Sequence, residues 1–220
     1  RKTIFPRLTE GEIVLEELKD AKELMKHISR IYLVACGSSY HVGMVGKYAL
    51  EKLLRIPVEA CLASEFRYSE PLLGENALVI IISQSGETLD SIAALREAKK
   101  KGSKVLSIVN VMGSSIARES DYVLYTWAGP EIAVATTKAY STQMVLLLFV
   151  GVYLAKQSDR ISQEEYAAFI SEVQTLPEKI SDVLKNLHQY QKTASRYFNH
   201  NSVFYIGRNL DYALGLEGSL

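Results

Sequence analysis

Cysteine and histidine are scarce in this sequence. Its 220 residues include two cysteines, Cys36 and Cys61, and four histidines. Two thiols cannot supply a disulfide framework or a zinc site of the cysteine-rich type. The histidines lie in separate segments without the spacing of a metal-binding motif: His27, His41, His188 and His200. We therefore expect a reduced, intracellular protein without a metal site.

Net charge and long apolar runs are also lacking. Lys plus Arg and Asp plus Glu each total 25, so the formal net charge is zero and we expect no nucleic-acid partner. The longest apolar run, Met144–Ala155, has 12 residues, whereas a membrane span needs about 20. This run therefore predicts a buried helix. Because residues 1–3 form no apolar leader, we expect no signal peptide, no membrane association and a cytoplasmic location.

The residues that are present indicate an ordinary globular protein, with 48% hydrophobic and 23% charged residues. Short apolar, β-branched runs alternate with stretches of helical periodicity. The predicted strands are Ile31–Ala35, Val58–Leu62, Ala77–Ile82, Lys104–Val109 and Tyr122–Thr126. The main predicted helices are 40–54, 89–101 and 137–156. This alternation predicts an α/β fold in which helices cover both faces of a five-stranded parallel sheet.

The flanking segments are predicted to be helical. Thr9–Glu12 fits a capping box that precedes an apolar helical face from Val14 to Ile28. Two further capping boxes, at 162–165 and 175–178, predict two or three helices between residues 161 and 200.

A strand is predicted again near the carboxyl-terminal side, at Val203–Gly207, followed by a helix over Asp211–Leu220. This order repeats the pattern of residues 31–37 and suggests a second copy of the domain. We expect a first domain at 1–160, a helical linker at 161–201 and the truncated start of a second domain at 202–220.

The segment Ser83–Thr88, here called the serine loop, is the strongest candidate for a binding site. It joins the most apolar strand to a helix and offers three hydroxyls, one amide and the free N–H groups of a helix N-terminus. Such donors suit a phosphate. Because no lysine follows Gly86 and no G-x-G-x-x-G motif occurs, a monophosphate on a small metabolite fits better than a nucleotide. The alternative is that these hydroxyls only turn the chain and cap the helix.

Two more loops follow the same logic. Cys36–Ser39 also joins a strand to a helix, so Ser38 and Ser39 could bind sugar hydroxyls or phosphate, while Cys36 is either a nucleophile or a packed thiol. Gly129–Lys138 leads into the long apolar helix and, taken alone, is a loop with a cap. His41 lies near the first of these loops, where it is either an acid–base group or a surface or capping side chain.

Five motifs, taken in order, resemble the isomerase half of the glutamine–fructose-6-phosphate aminotransferase (isomerising) family. They are Ala35–His41, Ala63–Phe66, Ser83–Thr88, Asn110 with Gly113–Ser115, and Gly129–Ile132 with Thr137–Tyr140. The resemblance covers essentially the whole chain, including the helical linker. It implies a three-layer sugar isomerase (SIS) domain with a flavodoxin-like sheet. In that family two such domains follow a glutaminase domain, and the enzyme makes glucosamine 6-phosphate from fructose 6-phosphate and glutamine.

The resemblance also implies partners and roles for single residues. Ser83, Gln84, Ser85 and Thr88 would hold the phosphate of fructose 6-phosphate or glucosamine 6-phosphate. Ser38 and Ser39 would contact the sugar, and Val134 and Thr136 would line the site. The family often has threonine at position 38 and serine at position 136, and both exchanges keep the hydroxyl. No cofactor is implied. The implied partners are the sugar phosphate, the glutaminase domain, the second SIS domain and a second copy in a homodimer.

The resemblance places the catalytic lysine and glutamate beyond Leu220, so we expect this chain to lack them and to be inactive alone. The alternatives are another SIS enzyme, such as a sugar-phosphate isomerase or deglycase, and a non-catalytic SIS sensor. A sensor usually carries a helix-turn-helix domain upstream, for which residues 1–30 are too short. A structural domain without a ligand is the remaining alternative.

Overall fold

The computed structural model describes residues 1–133 and 136–220. Its centre is a parallel sheet of five strands in the order β4-β3-β5-β6-β7. These strands are β3 (Arg30–Ala35), β4 (Val58–Leu62), β5 (Ala77–Ser83), β6 (Lys104–Val109) and β7 (Tyr122–Tyr125). The predicted strands are confirmed to within about one residue, and the strand order is that of flavodoxin-like folds.

Helices cover both faces of this sheet, which confirms the three-layer α/β prediction. Side chains of β3 alternate between two cores, with Leu33 in one and Val34 in the other. The first face carries α1 (Ala21–His27), α2 (Gly37–Leu54) and α6 (Lys138–Gln157). The opposite face carries α3 (Ala63–Phe66), α4 (Leu89–Lys100) and α5 (Ser115–Glu119).

Helix α6 is the predicted buried helix. Its 20 residues are long and apolar enough to cross a membrane by length and composition alone, and they are the one such helix among the described residues. Leu146, Phe149 and Val150, however, are buried in the core, and the helix packs along α2. Burial inside the protein therefore accounts for the apolar composition of α6.

The prediction of a capping box at Thr9–Glu12 is wrong. Thr9–Glu12 instead forms the turn of a hairpin between β1 (Leu8–Thr9) and β2 (Glu12–Ile13). Glu10 and Gly11 have φ values of 52° and 80°, the backbone of a type I′ turn, which favours glycine. The predicted helix over 14–28 shrinks to α1 and a short 3-10 turn at Glu16–Leu18.

The carboxyl-terminal helices agree with the sequence in part. The capping box at Ser162 is confirmed, because Ser162 Oγ accepts from Glu165 N and Glu165 Oε2 accepts from Ser162 N. The box at 175–178 is wrong, since α7 (Gln163–Lys185) continues through Pro177. Leu176 extends its apolar face against the core, and Thr175 Oγ1 donates to the carbonyl of Glu172. Helix α8 (Leu187–Tyr197) follows.

The predicted strand at Val203–Gly207 is wrong for the described chain. A strand forms by pairing with a neighbour, and no described residue pairs with this segment. Its apolar side chains are exposed, with Val203 at 67% and Ile206 at 96%. The predicted final helix is confirmed as α9 (Leu210–Gly218), which packs against α2.

Candidate functional site

The candidate site lies where the strand order reverses. From β3 the chain adds β4 on one side of the sheet and then returns to add β5 on the other. The carboxyl ends of β3 and β5 are adjacent, with Ala35 opposite Ile82. In open parallel sheets this reversal opens a crevice in which ligands bind. The sheet topology therefore brings the Cys36–Ser39 loop and the serine loop together.

A cavity of about 230 Å³ occupies this crevice. It is lined by ten residues from three segments: Cys36, Gly37, Ser38, Ser39, Ile82, Ser83, Gln84, Ser85, Thr88 and Thr136. The structure thus brings together seven of the eight residues that the resemblance implies for binding: Ser38, Ser39, Ser83, Gln84, Ser85, Thr88 and Thr136. Val134, the remaining candidate, lies outside the described residues.

Hydroxyl groups of the serine loop hold its backbone and remain able to bind a ligand. Ser83 Oγ accepts from Gly86 N at 3.0 Å, and Ser85 Oγ accepts from Glu87 N at 3.2 Å. A hydroxyl that accepts from a backbone N–H keeps its own hydrogen for donation. Ser83 and Ser85 can therefore each donate to an anion without opening the turn.

Thr88 separates the binding interpretation from the capping alternative. It occupies the N-cap position of α4, yet within the described chain its side chain makes no capping hydrogen bond. Its Oγ1 lies 3.4 Å from Ser83 Oγ, inside the cavity. Turn formation therefore accounts for Ser83 and Ser85, whereas helix capping does not account for Thr88.

Two helix N-termini open into the cavity. Helix α2 begins at Gly37 and α4 at Leu89, and neither has a side-chain cap among the described residues. Uncapped N–H groups and the positive end of the helix dipole attract anions. None of the described residues that line the cavity carries a formal charge. An anion here would be held by hydroxyls, an amide and backbone dipoles.

A neighbouring turn fixes the serine loop from behind. Ile116 N donates to the carbonyl of Gly86 at 3.0 Å, and Ser115 N donates to Glu87 Oε1 at 2.7 Å. Hydrogen bonds from Ser115 hold the pKa of the Glu87 carboxyl below its ordinary value. The loop is therefore attached to the start of α5 by both its backbone and a carboxylate side chain.

Cys36 lines the cavity but has the properties of a packed thiol. Burial, together with the charge of Asp90, raises the pKa of its thiol above the ordinary value. A nucleophilic cysteine needs the opposite environment, one that stabilises the thiolate. The structure favours the packed-thiol alternative over the nucleophile.

The described residues of the Gly129–Lys138 segment form the loop and cap that the sequence suggested. Glu131 Oε2 accepts from Ala139 N at 3.2 Å and so satisfies an N-terminal donor of α6. Lys138 is exposed. Of this segment, Thr136 is the described residue that contributes to the cavity.

Sequence reasoning missed Gln143 and gave His41 no partner. Gln143 is buried on α6, and its Oε1 accepts a hydrogen bond from Ser39 Oγ at 3.0 Å. His41 Nδ1 lies 2.7 Å from Glu217 Oε2 on α9. The available signal for the contact between Ser39 and Gln143 was a glutamine within the apolar pattern of a buried helix. The contact between His41 and Glu217 joins segments 176 residues apart and left no local pattern.

Comparisons with known proteins agree with the observed fold. The SIS domain model matches residues 24–153. The glutamine–fructose-6-phosphate aminotransferase (isomerising) of Caldanaerobacter subterraneus subsp. tengcongensis is 52% identical over 97% of this chain, which covers 35% of that relative. The chain thus spans about a third of the length of such relatives.

Solved structures show the same fold. The C-terminal domain of glucosamine-fructose-6-phosphate aminotransferase from Francisella tularensis superposes with a TM-score of 0.93 at 36% identity. That match covers 99% of this chain and 61% of the other. Glucosamine-6-phosphate deaminase from Thermotoga maritima shares the fold at a TM-score of 0.66 and 24% identity, over 92% of this chain and 63% of that one. The fold and the family model agree, and the chain belongs to the SIS domain family.

Proposed function

We propose that the cavity binds the phosphate group of a small sugar phosphate, fructose 6-phosphate or glucosamine 6-phosphate. Ser83, Gln84, Ser85 and Thr88 hold the phosphate, while Ser38 and Ser39 contact the sugar. Val134 and Thr136 complete the lining. The observation that carries this proposal is the convergence of hydroxyl side chains and two uncapped helix N-termini in one cavity.

The chemistry of the cavity supports phosphate over other anions. A phosphate monoester presents three oxygens that each accept several hydrogen bonds, and hydrogen bonds to ionised groups are the stronger kind. The serine loop supplies hydroxyl donors beside free backbone N–H groups, the arrangement that binds phosphate at helix N-termini. Ser38 and Ser39 lie across the crevice on α2, where a sugar attached to that phosphate would extend.

We further propose that the chain supplies this binding site to a glutamine–fructose-6-phosphate aminotransferase. Its 52% identity to such an enzyme over 97% of the chain supports the assignment. On this proposal the partners are a glutaminase domain, a second SIS domain and a second copy in a homodimer, and the protein is cytoplasmic. On this proposal the proton-transfer groups come from outside residues 1–220, in line with the absence of formal charge among the described lining residues.

The domain boundaries belong to the same proposal: an SIS domain at 1–160, a helical linker at 161–201 and the start of a second SIS domain at 202–220. The exposed apolar side chains of the last two segments support it, because a soluble protein rarely leaves such a set uncovered. They include Val183, Leu184, Leu187, Phe198, Val203, Phe204 and Ile206. A second domain packed there would cover them.

Another sugar-phosphate enzyme of the same fold is the nearest alternative. The deaminase from Thermotoga maritima shares the architecture, but 24% identity speaks for the fold alone. The 52% identity to an aminotransferase is more than twice as high, so the aminotransferase is favoured over the deglycase, isomerase and sensor alternatives.

Calorimetric titration of the chain tests the proposal. We expect heat from fructose 6-phosphate and glucosamine 6-phosphate, and none from fructose. Ser85→Ala combined with Thr88→Ala removes two donors to an ionised group, each contributing about 1.5–3 kcal/mol. The double variant should therefore bind on the order of a hundredfold more weakly or worse.

Ser158→Ala combined with Thr175→Ala is the matched control. These hydroxyls donate to carbonyls of α6 and α7, away from the cavity, so the control should bind like the unaltered chain. Absence of heat from both sugar phosphates at millimolar concentration, with the chain folded by circular dichroism, would overturn the proposal. Equal loss of binding in both double variants would overturn the residue assignment.

A further inference from the structure

A glutamine side chain is buried in the apolar layer beside the cavity. Gln143 lies on α6 and is 1% exposed, on a helix face that otherwise packs aliphatic and aromatic side chains. Its Oε1 accepts from Ser39 Oγ at 3.0 Å. Ser39 itself lines the cavity from the first turn of α2. Gln143 therefore contacts the candidate site from behind, through Ser39.

Fold stability does not explain the glutamine. Its Nε2 atom is buried and, among the residues that the structure describes, has no hydrogen-bond partner. A buried donor without a partner lowers stability, and leucine or methionine would fill a similar volume without that penalty. The contact with Ser39 is the feature that a hydrocarbon side chain cannot reproduce.

The direction of the hydrogen bond determines what Ser39 can offer a ligand. A serine hydroxyl has one hydrogen to donate and two lone pairs to accept with. Because the hydrogen of Ser39 points to Gln143 Oε1, lone pairs remain for the cavity. Ser39 thus presents an acceptor, whereas Ser83 and Ser85 already accept backbone N–H groups and present donors. Among these three hydroxyls, those of Ser83 and Ser85 are donors to a ligand and that of Ser39 is an acceptor.

We propose that Gln143 is a positioning residue that orients Ser39 to accept a hydrogen bond from a hydroxyl of the bound sugar, and so selects a polyhydroxylated phosphate ester over inorganic phosphate. This inference rests on the proposed sugar-phosphate function and deepens it. A phosphate alone has only acceptor oxygens and engages the donors of the cavity, such as the hydroxyls of Ser83 and Ser85. A sugar hydroxyl can donate, and the oriented Ser39 receives it.

A double-mutant cycle with two ligands tests the proposal. The four proteins are the unaltered chain, Gln143→Leu, Ser39→Ala and the double variant, each titrated with fructose 6-phosphate and with inorganic phosphate. Gln143→Leu should weaken fructose 6-phosphate binding about tenfold, the loss of one neutral hydrogen bond. Inorganic phosphate should bind within twofold of the unaltered chain. In the Ser39→Ala background, Gln143→Leu should have no further effect.

Ser107→Ala is the matched control, because it removes a buried hydroxyl from β6 outside the cavity, and it should leave both affinities unchanged. Gln143→Leu should keep or raise the midpoint of thermal unfolding, since it removes an unpartnered donor. Equal weakening of both ligands, or unchanged fructose 6-phosphate affinity in Gln143→Leu, overturns the inference and leaves the proposed function intact. Failure of the unaltered chain to bind either ligand overturns both.

Discussion

Gly86 lies so close to Ser114 that a Cβ atom built on it would fall 2.1 Å from Ser114 Oγ and 2.6 Å from Ser114 Cβ. The φ of Gly86 is also positive, at 68°, where other residues are strained. Glycine is thus required at position 86 both by the lack of space beside Ser114 and by the positive φ. Gly86 belongs to the serine loop, which passes directly over the turn that starts α5. The glycine therefore lets the proposed phosphate-binding backbone rest against a fixed support.

Gly86→Ala should lower the free energy of unfolding and weaken phosphate-ester binding. Gly113→Ala is the matched control, because Gly113 has the same φ of 68° and no atom lies within 4 Å of the position that its Cβ would take. Gly113→Ala should cost about 1–3 kcal/mol from backbone strain alone. Gly86→Ala should cost about 1–3 kcal/mol more, because Ser114 must also move. Urea titration measures both, and equal losses would show that the contact with Ser114 carries no energetic penalty.

The two cysteines should react differently with an alkylating reagent when ligand is present. Burial raises the pKa of Cys61 to about 11, so at pH 8.5 its thiolate is on the order of a hundredfold scarcer than that of a free thiol. The pKa of Cys36 is raised as well, but this thiol lines the cavity. Fructose 6-phosphate that occupies about 80% of the sites should slow iodoacetamide labelling of Cys36 about fivefold, because only the unoccupied fraction reacts.

Cys61 is the internal control for that experiment, since it lies on β4 outside the cavity. Its labelling rate, followed by mass spectrometry in the same samples, should not change with ligand. Equal slowing of both cysteines would indicate general tightening of the protein. Unchanged labelling of Cys36 would place the ligand elsewhere.

Local sequence patterns predicted the central sheet because each strand carries its own signal. The five strands are short β-branched runs bounded by polar loops. Their parallel direction follows from the helical segments that connect them. The serine loop was recognisable for the same reason, since its hydroxyls, Gly86 and the following helix are consecutive. The Cys36–Ser39 loop was recognisable as a second strand-to-helix loop, and its position beside the serine loop follows from the observed strand order.

The errors arose where one short pattern fits two structures. Thr9–Glu12 satisfies the capping-box spacing, yet Gly11 permits a tight hairpin whose flanking residue Ile13 is buried. Val203–Ile206 has a strand's composition, but pairing decides whether a strand forms, and pairing is not local. Gln143 could not be linked to Ser39 from sequence, because their contact depends on how α6 packs against α2.

The ion pair between Glu12 and Lys156 should make stability depend on acid pH. The hydrogen bond from Lys156 holds the pKa of the Glu12 carboxyl below its ordinary value of 4.5. A carboxyl whose pKa is lower in the folded state than in the unfolded state stabilises the folded protein at pH values above the unfolded-state pKa. This contribution is lost as the pH falls through the folded-state pKa. Glu12→Gln should therefore cost about 0.2–1 kcal/mol at pH 7, a range that allows for its half-exposed position, and less at pH 3.

Glu172→Gln is the control for Glu12, because the Glu172–Lys179 pair is more exposed, on the surface of α7. Urea midpoints at pH 7, 5, 4 and 3 should converge for Glu12→Gln and the unaltered chain as the pH falls. The Glu172→Gln midpoint should stay close to that of the unaltered chain throughout. Parallel curves for Glu12→Gln across the whole range would contradict the assignment.

The contact between His41 and Glu217 should hold α9 against α2. The two side chains are 13% and 19% exposed, and His41 Nδ1 lies 2.7 Å from Glu217 Oε2. A hydrogen bond to a charged group contributes about 1.5–3 kcal/mol, so His41→Ala should accelerate amide exchange in α9 by about ten- to a hundredfold. Exchange in β5, at the centre of the sheet, should hardly change, because it reports global unfolding. His188→Ala, at an exposed position on α8, should leave α9 unaffected. Exchange in α9 that is equally fast in both histidine variants would mean that α9 is held by its apolar contacts instead.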